Sequence, residues 1–258
     1  MADDTISQRL DSMTTRWSVV RRAHQASIAS AGQARNELVL RYSKAIRSYV
    51  RAILKDDSRA DELAQDAIVR LLSGDFAGAD PNRGRFRDLL KVSVRNMARN
   101  HWQKENRRRP AAVDVEDIAG ASGTSDDPEW LASWRQNALD LTWSALESFE
   151  RSQPNSSAVA LLRLRAANPD ASSEELAARL SEKSKQSVTP EAARQQLRRA
   201  RVKFAELLIE EIADGLEDAT PDDVEDELAA LGLMDYVRDL LPADWKQRRG
   251  GEASRGAT

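Results

Sequence analysis

Cysteine is absent from this 258-residue chain, which excludes disulfides and thiolate chemistry and suits a reducing compartment. Histidine is nearly absent too. His24 and His101 stand far apart, so a zinc site has no ligand set to draw on. Aromatic residues are only 5% of the chain, and the expected cores are therefore mostly Leu, Ala and Val. No run of about eighteen apolar residues occurs, so no segment is expected to span a membrane. The opening MADDTISQRLDSM has neither a basic start nor an apolar stretch and does not read as a secretory signal. A Gly-rich phosphate loop, a Gly-x-Ser-x-Gly elbow and a His-Glu-x-x-His pair are all missing. No catalytic residue, metal or cofactor is assigned on this reading, and a cytoplasmic location is expected.

What the chain does have is charge, unevenly spread. Charged residues are 31% of the total and the net charge is -3, which argues against a protein that coats nucleic acid over its whole surface. Local patches act through their own field, however. The stretch RFRDLLKVSVRNMARNHWQKENRRR (Arg85–Arg109) sets nine cations against Asp88 and Glu105 alone. Pairing three or four residues apart along a helix cannot neutralise it. Phosphates explain such a segment more economically than solvent does, and binding of that kind is steeply salt-dependent. Phe86, His101 and Trp102 offer rings for stacking on unpaired bases, although Trp102 suits a core equally well.

Apolar periodicity is helical nearly throughout. Arg35–Leu54 carries Leu38, Tyr42, Ile46, Tyr49, Val50 and Ile53 on one stripe. Ser58–Gly74 follows, with Leu63, Ala67, Val69, Leu71 and Leu72 as its apolar positions. Phe76–Arg85 is a Gly/Asp/Asn/Pro loop before the basic helix. After Pro110 the composition turns acidic and small, too poor in apolar surface to offset the entropy of ordering. Helical patterning returns over Trp130–Phe149, Ser156–Ala167, Ser172–Leu180 and Thr189–Ile212, the last opened by an N-cap Thr and a first-turn Pro. Further helices are expected near Pro221–Leu231 and Leu233–Leu241. The fold class is all-α: two small helical domains joined by an acidic flexible linker, with an acidic C-terminal helical extension. The expected boundaries are an N-terminal extension (1–34), a first domain (35–110), the linker (111–129), a second domain (130–212) and the C-terminal extension (213–258).

Three constellations stand out. DELAQDAIVRLL places Asp61, Glu62, Gln65, Asp66 and Arg70 on one polar helix face. Glu62 and Asp66 four residues apart are a conceivable start of a metal-dependent hydrolase, but no His accompanies them, so a protein-docking face is the stronger reading. The basic stretch is the second constellation. Ser172–Leu180, a long connection (Ser181–Val188) and the helix from Thr189 form the third, a helix-turn-helix. There Ala193, Leu197, Ala200 and Phe204 face inward, leaving Arg194, Gln195 and Arg198 outward to read base edges in a major groove. An amphipathic helix with a solvated Arg face fits that spacing equally well.

In this order the three pieces resemble the extracytoplasmic-function (ECF) sigma factors of bacterial RNA polymerase, within the sigma-70 family. DELAQDAIVRLL is similar to the polymerase-docking helix of that family, which implies that Asp61, Glu62, Gln65, Asp66 and Arg70 meet the clamp helices of the largest core subunit. FRDLLKVSVRNMARNHWQKENRRR looks like the promoter-melting segment. The resemblance implies that Arg95, Asn96, Arg99, Asn100, Trp102, Lys104, Arg107, Arg108 and Arg109 take the melted strand of the minus-ten element. TPEAARQQLRRAR resembles the second recognition helix, which implies that Arg194, Gln195, Arg198, Arg199 and Arg201 contact the minus-thirty-five duplex. TRWSVV and ADPNRGRF look like the planctomycete-type sub-group.

The implied partners are core RNA polymerase (clamp helices and flap) and promoter DNA, in a bacterial cytoplasm, with no membrane partner. The acids Asp114, Glu116, Asp117, Asp126 and Asp127 of the connector would mimic RNA charge in the polymerase channel. The acidic tail, with seven acids between Glu217 and Glu227, reads either as a solvated helix or as a mask for the Arg-rich helix. Control by an anti-sigma factor, by the tail, or by a regulatory kinase acting on Ser122, Thr124 or Ser125 is open at this level. The alternative to a sigma factor is a stand-alone helix-turn-helix transcriptional regulator that binds duplex DNA without polymerase.

Overall fold

A computed structural model describes residues 28–73, 85–108, 127–153, 156–185, 187–216 and 219–240. Every regular element among them is helical. In chain order these are α1 (Ile28–Leu54), α2 (Asp57–Ser73), α3 (Phe86–Arg108), α4 (Pro128–Arg151), α5 (Ala158–Ala167), α6 (Ser173–Ser184), α7 (Pro190–Ala213) and α8 (Pro221–Ala230). Two single 3-10 turns follow, Met234–Tyr236 and Arg238–Leu240, where one helix was expected. None of the described helices is long and apolar enough to cross a membrane. Helix α1 starts at Ile28, ahead of the Arg35 that periodicity marked. The extra turns, IASAGQA, contain three Ala residues, which favour helix without adding an apolar stripe to read.

Capping chemistry sets the helix starts. Ser172 and Glu175 close a reciprocal capping box on α6, and Thr220 and Asp223 do the same on α8 with Pro221 behind them. The Asp223 carboxyl is held below the ordinary aspartate value by the Thr220 side chain and then by the Thr220 backbone, with a smaller contribution from Arg85. On α7 the Thr189 hydroxyl accepts the Ala192 N–H at 3.2 Å. The start of α4 was not legible. Asp127, assigned to the flexible linker, is its N-cap: Oδ1 accepts the Trp130 N–H at 3.1 Å, and the Asp127 carbonyl accepts the first helical bond from Leu131.

Contacts divide the chain into two compact units, residues 1–137 with 212–232, and residues 138–211 with 233–258. The division passes through α4 and α7, not through the acidic linker, so 130–137 sit in the first unit.

The first unit packs α1, α2, α3 and the start of α4 around aromatic rings. Tyr42 stacks on Trp134 at 5.4 Å and meets Phe86 at 5.0 Å, while Tyr49 meets Trp130 edge-on at 4.9 Å. Five of the few aromatic residues thus meet in this core, beside the Leu, Ala and Val residues expected to dominate it. Asp127 binds this core together. It is buried, and Oδ2 accepts the Tyr49 hydroxyl at 2.6 Å and faces Arg95 Nη1 at 3.4 Å. Burial, then the bond to Asp127, pushes the Tyr49 hydroxyl far above the usual tyrosine value, so it stays a neutral donor. Asp127 is therefore engaged within the unit and is not a free RNA-mimicking acid, as the connector reading had it.

The first part of the acidic tail, to Gly232, belongs to the same unit. Val224 and Leu228 are buried along one stripe of α8 and Leu231 at its C-cap, each contributing about 1.5–3 kcal/mol of burial. Between them Glu227 is buried too, and its carboxylate meets Arg87 Nε at 2.7 Å and Arg85 Nη1 at 2.5 Å. Asp214 pairs with Arg41 at 2.8 Å. Gly232 ends α8 at φ +63, where a side chain would strain the backbone and crowd Arg135. One face of α8 is thus buried in this unit, and Asp214 and Glu227 are paired to Arg41, Arg85 and Arg87.

In the second unit, Leu146, Ala158, Val159 and Ala200 pack with Trp143, Phe149 and Phe204, and Leu161, Leu176, Leu180 and Leu197 form a second cluster. Helix α6 runs to Ser184, so the connection to α7 spans 185–189 and is shorter than the sequence suggested. Ser181 explains the difference. Its hydroxyl donates to the Ala177 carbonyl at 2.7 Å and accepts the Val188 N–H at 2.9 Å, while Lys185 turns the chain in the left-handed region.

Tyr49→Phe removes one donor from a buried carboxylate and leaves the ring packing intact. It should cost about 1–3 kcal/mol of unfolding free energy by denaturant titration. A change near zero would mean that Asp127 is not held as described.

Candidate functional site

Two of the three candidate surfaces lie in the first unit and one in the second; each is described within its own unit. On α2 the buried residues Ala60, Leu63, Ala64, Ala67 and Leu71 define the inner face. Glu62, Gln65, Asp66 and Arg70 are exposed on the other side. Val69 is exposed with them at 61%, although the apolar pattern assigned it inward; its place in the three- and four-residue steps puts it on the outer face. Asp61 is set apart from the other four. It is half-buried and accepts from Arg51 Nη2 at 3.1 Å, with Arg47 at 3.8 Å. The outer face of α2 thus offers two acids, an amide, a cation and one apolar group, and Asp61 braces its start against α1.

Helix α3 also has two faces. Phe86, Leu90, Val94, Met97 and Ala98 point into the core. Val92, Asn96, Arg99, Asn100 and Gln103 form an exposed stripe. Asn96 Oδ1 accepts from Arg99 Nη2 at 3.1 Å, which orients the amide and the guanidinium beside each other. Trp102 is half-buried, and its indole N–H is buried without an acceptor among the described residues. Arg95, expected to reach DNA, is half-buried and paired to Asp127, so part of its charge is already engaged. The cations are not all outward: Arg87 and Lys91 are buried. The acids that the basic stretch lacks in sequence come from Asp127 and Glu227. Lys104, Arg107 and Arg108 lie on the last turns of α3 with side chains outside the described residues. Arg109 lies outside them altogether, as do Asp114, Glu116, Asp117, Ser122, Thr124, Ser125 and Asp126.

On α7, Ala193, Leu197 and Ala200 are buried, while Arg194, Gln195, Arg198, Arg199 and Arg201 are all exposed. Glu191 orders two of them: its carboxylate accepts from Arg194 Nη1 at 2.7 Å and from Gln195 Nε2 at 3.2 Å. Arg198, Arg199 and Arg201 make no ion pair among the described residues, which leaves them available to an anion.

These surfaces have the chemistry of recognition. No cluster of three or more His, Cys, Asp or Glu side chains arranged to hold a metal occurs among the described residues. The roles that sequence reasoning missed are those of Asp127, Glu227 and Arg47; the N-cap at Asp127 was a local signal, whereas the ion pairs of all three run to other helices.

Residues 38–108 match the family model for Sigma-70 region 2, which takes in α1 from Leu38, the whole of α2 and α3 to its last residue. No curated protein and no solved structure matches the chain. The chain thus carries a Sigma-70 region 2 domain, and that domain points to a sigma-factor role in binding core RNA polymerase and recognising promoters.

The Asp61 pairs with Arg47 and Arg51 are about half-exposed, so Asp61→Asn should change unfolding free energy by less than about 1 kcal/mol. Chemical denaturation checks this. A larger loss would make Asp61 a structural residue and disqualify it as a probe of docking.

Proposed function

We propose that this protein is a sigma factor of the extracytoplasmic-function type that binds core RNA polymerase, selects a promoter, opens it and then releases it to transcription. The observation that carries the reading is the pairing, inside one Sigma-70 region 2 match, of two exposed helix faces of opposite chemistry. The outer face of α2, with Glu62, Gln65, Asp66, Val69 and Arg70, suits a protein partner: acids and an amide surround one apolar contact. The α3 stripe of Asn96, Arg99, Asn100 and Gln103 suits an unpaired strand, with amides for base edges and cations for phosphate. Trp102, with its indole N–H unsatisfied, adds a surface for stacking.

The second unit has the part of a duplex reader. Helices α6 and α7 with their short connection support a helix-turn-helix, and Arg194 and Gln195, held by Glu191, are chemically matched to guanine and adenine edges. Arg198, Arg199 and Arg201 would hold phosphates and fix register. On this reading the protein is a cytoplasmic binding subunit whose own residues perform no covalent chemistry; polymerase supplies that. The planctomycete-type assignment rests on TRWSVV and ADPNRGRF, which lie outside the described residues except for Arg85 and Phe86.

Purified bacterial core polymerase should retain the tagged wild-type chain and lose it on the Asp61→Ala/Asp66→Ala double substitution. Run-off transcription from a promoter library should depend on the protein. Tight duplex binding without any retention by polymerase would instead indicate a stand-alone regulator. Arg198→Ala should weaken duplex binding across sequences and reduce the slope of log affinity against log salt by about 1. An unchanged slope would remove Arg198 from the DNA-contacting set.

A further inference from the structure

The start of α3 is an unusual place for two arginines. The N-terminal end of a helix carries a partial positive charge, which disfavours cations there. Yet Arg85 stands just ahead of α3, its carbonyl accepting from the Asp88 and Leu89 N–H groups, and Arg87 lies in the first turn with its side chain only 2% exposed. A guanidinium this deeply buried needs a counter-charge. Among the described residues Glu227 supplies it, from 142 positions beyond Arg85. One carboxylate, itself 5% exposed, takes Arg85 with Oε2 and Arg87 with Oε1, so it bridges the residue before the helix and a residue in its first turn. The carboxylate is held in turn by α8, through Val224 and Leu228 on the buried stripe and the Thr220–Asp223 capping box at its start.

We propose that Glu227 is a positioning residue for the strand-contacting face of α3, and that the C-terminal helix α8 is therefore a working part of the promoter-opening unit. The inference rests on the sigma-factor reading above and adds to it a residue outside the region 2 match. The physical reason is leverage. Helix α3 rises about 1.5 Å per residue, so Asn100 lies roughly 20 Å along its axis from the bridge to Glu227. With its middle held at Arg95, about 7.5 Å short of Asn100 along the axis, a tilt of about 20° at a freed start would move Asn100 by roughly 2.5 Å, enough to break a hydrogen bond. Asp127 holds the middle of the helix through Arg95, and Glu227 holds its origin. Together they fix a line, which neither does alone.

The test uses the full chain with Glu227→Gln, which keeps the shape and removes the charge, beside Asp226→Asn, an exposed acid on the same helix, as control. Amide hydrogen exchange over residues 86–95 should accelerate on the order of tenfold in Glu227→Gln, with residues 190–205 unchanged and Asp226→Asn like wild type. With core polymerase and promoter DNA, permanganate reactivity of the opened strand should fall on the order of tenfold, while retention by polymerase changes less than about twofold. Unchanged exchange over 86–95 would overturn the proposal. So would an opening yield equal to or above wild type, which would mark α8 as a restraint on opening. Should Glu227→Gln not fold, Arg85→Gln leaves the buried Arg87–Glu227 pair in place and should give the same local pattern at about threefold; no local acceleration there would count against the bridge. If the wild-type chain is not retained by polymerase, the sigma-factor reading fails, and exchange alone still decides whether Glu227 fixes α3.

Discussion

The first unit depends on one buried carboxylate. Asp127 accepts from the Tyr49 hydroxyl on α1 and from the Trp130 amide at the start of α4, and it faces the Arg95 guanidinium on α3. A lone buried aspartate would be costly; three donors make it a node that ties three helices at one point. Around it the rings of Tyr42, Tyr49, Phe86, Trp130 and Trp134 fill the space between the same helices. The outer faces of α2 and α3 are then exposed because their inner faces are committed. The surfaces proposed for polymerase and for the melted strand follow from how this core is packed.

Charge in the protein is sorted by the fold as well. The basic stretch of α3 has nine cations and two acids in sequence, but three of those cations meet acids brought from elsewhere. Arg85 and Arg87 are spent on Glu227, and Arg95 is shared with Asp127. Among the described side chains of α3 the outward set is narrower, Val92, Asn96, Arg99, Asn100 and Gln103. A uniformly basic rod would grip any polyanion. A short stripe with paired amide and guanidinium groups has the geometry to discriminate, and α7 repeats the device by using Glu191 to hold Arg194 and Gln195.

Much of this was legible in the residues. The helices α1, α2, α4, α5, α7 and α8 lie close to where three- and four-residue apolar steps put them, since helical periodicity is a local property that burial on one side imposes directly. The N-caps at Ser172 and Thr189 read correctly for the same reason: each involves groups three residues apart. Misreadings cluster where the competing groups are near in space but ambiguous in composition. Ser181 to Ser184 looked like a connection; they continue α6, which ends where Lys185 turns into the left-handed region. Val69 counted as apolar core, and its angular position sends it outward.

By itself, then, the sequence determined the helical class, the inner stripe of α1 and the outward place of Arg194, Gln195 and Arg198 on α7, because each depends only on neighbours within a few residues. Tertiary structure alone decided which of the described cations are paired, and that residues 212–232 belong with the Sigma-70 region 2 unit. Tyr49 and Asp127 are 78 positions apart, and Arg85 and Glu227 are 142. No periodic pattern spans such distances. A buried charge finds its partner only when packing has removed water from both, and that choice is made by the folded chain as a whole.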